Sequence, residues 1–131
     1  MITDRFDHDE ARIRLTVLGL RGQKREIEAV IDTGYTDSLT LPRAIIVAFG
    51  LQYRSVDRAI LADGSECLFD VYKGARVVWD GELRSILVGE ADGVPLVGMT
   101  LLRGFEMNML VRPGGKVTIR RLPAHPKRRG A

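Results

Sequence analysis

EIEAVIDTGYTDSLTLP, residues 26–42, is the stretch whose reading decides the architecture. Glu26-Ile27-Glu28-Ala29-Val30-Ile31 reads as a strand that becomes fully apolar at its end, as a strand entering a buried layer does. It runs into Asp32-Thr33-Gly34, and Leu39-Thr40-Leu41 follows as a short strand stopped by Pro42. A carboxylate carried at the end of a rigid strand is held in fixed geometry. Thr33 can hydrogen-bond across to a partner, and Gly34 lets the backbone approach the carboxylate and turn sharply. The same residue types also favour a plain strand-ending turn with an Asx-type hydrogen bond. Three residues alone do not decide between the two.

The flanking sequence keeps the same rhythm of short apolar alternation broken by turns, which predicts an all-β domain. Ile13, Leu15 and Val17 alternate with Arg12, Arg14 and Thr16 before the turn Arg21-Gly22-Gln23. Beyond Pro42, residues 43–49 have room for about two helical turns before Gly50, with Ile45, Ile46 and Phe49 on one face. Ala59-Ile60-Leu61-Ala62 and Glu66-Cys67-Leu68-Phe69 form a predicted hairpin across Asp63-Gly64-Ser65, because Asp-Gly tolerates positive φ at both turn positions. Residues 75–79 and 82–88 form a second, across Asp80-Gly81. Pro95-Leu96-Val97-Gly98 gives a short buried strand, Met99-Thr100-Leu101-Leu102-Arg103 one or two helical turns ended by Gly104, and residues 105–111 and 116–122 a last strand pair.

The totals bound the function. A chain of 131 residues fits one compact domain with a real core. Cys67 is the single cysteine, so no intrachain disulfide can form, and His8 and His125 lie near opposite ends, which argues against a zinc site. No apolar run approaches the ~20 residues that span a bilayer, and the polar segment 1–10 lacks the basic start and apolar middle of a secretory signal. The expectation is a soluble cytoplasmic protein with no membrane partner. Net charge is +3, but part of the excess sits in the tail 123–131, at Lys127-Arg128-Arg129, and the rest is interspersed with acids. That distribution argues against nucleic acid. Cys67 has no nearby histidine to activate it, and Ser38 has no credible triad partner in His8 or His125. Trp79, before a tight turn, reads as core or edge cover.

The conjunction of Asp32-Thr33-Gly34, the Asp63-Gly64 hairpin, and Leu96-Val97-Gly98 leading into Met99-Thr100-Leu101-Leu102 resembles the retropepsin-like aspartic proteases, in particular their short bacterial members. The resemblance covers residues 11–122. It implies a closed β barrel with one or two short helices, with Asp32, Thr33 and Gly34 as the catalytic motif. It also implies a flap hairpin in which Leu61, Ala62, Asp63 and Gly64, with Tyr35 beside the acid, contact substrate. With one Asp-Thr-Gly per chain, it implies a homodimer in which two Asp32 carboxylates share one proton, one acting as base and its twin as acid. Aspartic proteases are a standard illustration of such a coupled pair. A peptide or protein would be the substrate, with no cofactor and no metal. The pattern departs from the retroviral one at Tyr35-Thr36-Asp37, at Met99-Thr100 after Gly98, and in the single glycine of the flap tip. Those departures motivate an alternative, a module of the same fold that binds peptide or partner protein without cleaving it.

Overall fold

The computed structural model describes residues 1–124. In chain order these form β1 (Ile2–Asp7), β2 (Glu10–Leu18), β3 (Lys24–Ile31), β4 (Leu39–Leu41), α1 (Arg43–Ala48), β5 (Gln52–Ile60), β6 (Glu66–Trp79), β7 (Glu82–Glu90), β8 (Leu96–Val97), α2 (Met99–Leu102), β9 (Phe105–Met109) and β10 (Lys116–Arg121). The protein is mostly β with two short helices. His125 and the basic run Lys127-Arg128-Arg129 lie outside the described residues. No helix among the described residues is long and apolar enough to cross a membrane.

The strands pair in the order β5-β6-β7-β4-β8-β3-β2-β1-β10-β9, and β2 also pairs with β6 through Val17↔Val77 and Leu18↔Arg76. Alternation decides which side of each strand is inward. Ala11, Ile13, Leu15 and Val17 of β2 are buried, as are Ala75, Val77 and Trp79 of β6 and Val117 and Ile119 of β10. Trp79 is wholly enclosed and meets Phe105 edge to face, ring centroids 5.8 Å apart, so it belongs to the core. On α1, Ile46 and Phe49 pack into the same core with Ile45 at its margin.

Three local features differ from the sequence reading. The polar segment 1–10, outside the residues that carry the resemblance, supplies β1, which lies between β2 and β10 with Phe6 buried. What hides this strand in the sequence is Asp4, which breaks the apolar alternation; its carboxylate accepts the backbone N–H of Arg14 at 2.9 Å and is thereby satisfied. Of the two Asp-Gly turns, only Asp80-Gly81 has positive φ at both positions and closes directly on Trp79↔Glu82. At the other hairpin only Gly64 is left-handed. There the Leu61 N–H donates to Ser65 O and the Gly64 N–H to Leu61 O. The tip is therefore a three-residue loop, Ala62-Asp63-Gly64, rather than a two-residue turn, and the strands stop at Ile60 and Glu66. Finally, the two hairpins are one continuous system. β6 serves both, shifting register between Tyr72 and Ala75, where Gly74 has φ 105°. Its first residues, Glu66–Leu68, are exposed where they pair with β5, whereas Ala75, Val77 and Trp79 of its second half are core.

Candidate functional site

The centre of the sheet is built from very short strands. β3 and β8 run parallel, Val30↔Leu96 and Ile31↔Val97. β4 lies between β8 and β7, antiparallel to the first and parallel to the second. Asp32 is the first residue past β3. Its N–H donates to Val97 O at 2.9 Å, its Oδ1 accepts the Gly34 N–H at 2.9 Å, and its carbonyl accepts the Tyr35 N–H at 3.1 Å. The Asx-type turn considered as an alternative is thus present, and it holds the carboxylate in place. It leaves Oδ2 without a hydrogen-bond partner among the described residues.

The loop after Gly34 is clamped onto the start of α2. Met99 N–H donates to Tyr35 O at 2.8 Å, Gly98 N–H to Ser38 O at 2.9 Å, and Thr100 N–H to Thr36 O at 3.2 Å, while the Thr100 hydroxyl donates to the same Thr36 oxygen. Gly98 is required here for space. A Cβ would lie 2.1 Å from Asp37 O and 2.7 Å from Tyr35 O. Beneath the loop, buried Thr40 accepts the Leu96 N–H on Oγ1 at 2.8 Å and so ties β4 to β8 where no backbone partner reaches.

A cleft of about 670 Å³ opens over this floor. Asp32, Gly34, Tyr35, Thr40 and Leu96 line it from the sheet. Val56, Ala59, Ile60, Leu61, Cys67, Leu68 and Phe69 line it from the β5–β6 hairpin, and Asp70, Glu90, Ala91 and Asp92 complete it. Ile60 and Leu68 are more than two-thirds exposed, a cost in water that an occupant of the cleft would remove. The Tyr35 hydroxyl and the Phe69 ring both lie over Gly89, and that hydroxyl is buried without a partner among the described residues. Burial, then the charges of Asp37 and Asp57, pushes the Tyr35 phenol above its ordinary range. Burial, then Asp57, likewise raises the Asp37 carboxyl. Both face a small pocket of about 50 Å³ behind the cleft, with Arg54 and Asp57 on its hairpin side.

Among solved structures, the chain is similar to a retropepsin-like aspartic protease from Rickettsia conorii, with TM-score 0.54 and 16% identity over 93% of this chain and 91% of that one. The fold is retropepsin-like. A second similar structure is EIAV protease in complex with an inhibitor, at TM-score 0.47 and 17% identity, covering 73% of this chain and 89% of that one. No protein-family model matches the sequence, and no curated protein does.

Within this retropepsin-like fold, Asp32, Gly34, Tyr35 and Leu61 come together around the cleft. Thr33 is exposed, and Ala62, Asp63 and Gly64 form the exposed hairpin tip beyond the cleft lining. Sequence reasoning missed Thr40, Phe69 and the acids Asp70, Glu90 and Asp92. Thr40 carried a signal, a polar residue between two leucines in a short strand. The acids carried none, because β6, the end of β7 and the loop after it come beside Asp32 only through the fold. Among the described residues, no three His, Cys, Asp or Glu side chains are placed to hold a metal ion.

Proposed function

We propose that the protein is an aspartic endopeptidase that hydrolyses peptide bonds with two Asp32 carboxylates brought together across a homodimer axis. The observation that carries this reading is the placement of Asp32. Its backbone is tied to Val97, one carboxylate oxygen is held by Gly34, and the side chain lines a largely apolar cleft beneath the exposed residues of the β5–β6 hairpin. The fold supports it, since a chain of similar fold is described as an aspartic protease. The β2–β6 pairing would close β6, β7, β4, β8, β3 and β2 into a barrel, and the β5–β6 hairpin would act as the flap over bound substrate.

The chemistry needs a base and an acid. One Asp32 carboxylate takes a proton from water as the water oxygen bonds to the scissile carbonyl carbon, and the protonated twin gives its proton to the carbonyl oxygen. Collapse of that tetrahedral species breaks the C–N bond, and a proton returns to the departing amine. Two carboxylates in contact cannot both ionise, which is why one proton is retained in the pair. Thr33 and Gly34 are positioning residues in this scheme, and Tyr35 and Leu61 contact the substrate.

The test is hydrolysis of an unfolded protein by wild type and Asp32→Asn. The variant should retain its circular dichroism spectrum and its sedimentation as a dimer while losing activity by roughly 10³-fold or more. Undiminished hydrolysis in Asp32→Asn would refute the assignment. Peptide binding by wild type with no cleavage at any pH would instead support the non-cleaving module.

A further inference from the structure

Resting on that reading of the cleft, we infer that its preferred substrates are extended peptides carrying a Lys or Arg side chain flanking an apolar segment. The protein as a whole is basic, with net charge +3, yet among the described residues no Lys, Arg or His lines the cleft. Besides Asp32 it is lined by Asp70, Glu90 and Asp92. Glu90 is already engaged, accepting from the Tyr72 hydroxyl at 3.1 Å and from Arg43 at 3.4 Å. Asp70 and Asp92 have neither a hydrogen bond nor an ion pair among the described residues. Their charge does not converge on a metal-ion site, since among the described residues no three such ligands are placed to hold one. It is spread beside apolar walls, and a long cationic side chain matches that arrangement by laying its methylenes on the apolar surface and its charge on the acids. The apolar part of the same peptide would cover Ile60, Leu61 and Leu68, which are 74%, 51% and 70% exposed.

Selectivity can be read apart from cleavage by using the Asp32→Asn protein as a trap. Fluorescein-labelled peptides with an apolar centre, and one Lys, norleucine or Glu scanned through the flanking positions, would be titrated by anisotropy. At one or more positions Lys should bind about five- to tenfold tighter than norleucine, and Glu more weakly than either. The preference should shrink between low and high salt, and it should fall to within about twofold when Asp70→Asn and Asp92→Asn are added. Equal binding of Lys and norleucine peptides at every position would overturn the inference, as would a preference indifferent to both salt and the double substitution. Failure of wild type to cleave any of the peptides would instead count against the proposed function, because the binding preference is measured without turnover.

Discussion

Gly98→Ala should uncouple the acid loop from the sheet, and its effect follows from three distances. A Cβ at this position would sit 2.1 Å from Asp37 O, 2.6 Å from Tyr35 Cδ2 and 2.7 Å from Tyr35 O. Two of the three are backbone oxygens, which cannot swing aside as a side-chain end can. Restoring ordinary carbon–oxygen separation requires the loop to retreat by about 1 Å. That retreat stretches the hydrogen bonds from Met99 to Tyr35 O and from Gly98 to Ser38 O. Overpacking of this kind costs about 2–3 kcal/mol, or roughly 6–10 °C in Tm for a domain of this size. The turn that holds Asp32 shares the displaced segment, so activity should fall by about 10²-fold, as a misplacement of about 1 Å at a reacting group can produce. Gly104→Ala is the control. Gly104 has φ 87° with open space around it, so its cost is conformational only, about 1 kcal/mol, and activity should persist. Urea denaturation and turnover of both variants decide the matter. Gly98→Ala within about 0.5 kcal/mol of wild type and fully active would refute the steric argument.

Other outcomes follow from single groups. Thr40→Val preserves shape but removes the acceptor for the Leu96 N–H, so it should cost about 1–3 kcal/mol in chemical denaturation; a neutral result would show that this N–H finds another partner. Asp37 has a folded pKa raised first by burial and then by Asp57. The native state therefore holds that proton more tightly than the unfolded chain, and stability falls as pH rises from the unfolded value through the folded one. Asp37→Asn should raise Tm slightly at neutral pH, by roughly 1–3 °C, and the gain should vanish in acid below the ordinary carboxylate range. A gain that persists there would contradict the charge argument. Gly64→Ala at the hairpin tip meets no neighbour within 4 Å but must adopt φ 84°. It should open the three-residue loop and weaken peptide affinity, with a loss of about 1 kcal/mol or less in global stability.

Alternation made much of this fold legible. Ile13, Leu15 and Val17 announced β2, and the run from Glu26 to Leu41 announced the two strands that flank the acid loop. What stayed hidden depends on partners remote in sequence. Asp4 looks incompatible with an inward strand position until the Arg14 backbone is brought to it. Asp63-Gly64 and Asp80-Gly81 both favour a tight turn, but only at Asp80-Gly81 do the flanking strands meet in the register for two residues. A single β6 serving both hairpins cannot be read from residues 66–79, because Gly74 looks like a break where the structure makes a shift of register. For the site, Asp32 was marked by its strand-end position, whereas the acids of the cleft come from β6, the end of β7 and the segment after it, which only the assembled sheet places beside it.

The central claim is that each active site needs an Asp32 from two chains, and subunit mixing tests it most directly. Wild type held at constant concentration would be equilibrated with increasing amounts of Asp32→Asn protein before assay. If mixed pairs are inactive, activity should drop to about half at equimolar mixing and continue toward zero with excess variant. Activity that stays constant as the variant is added would mean that a single chain supplies the whole catalytic apparatus, and the shared-carboxylate account would be wrong.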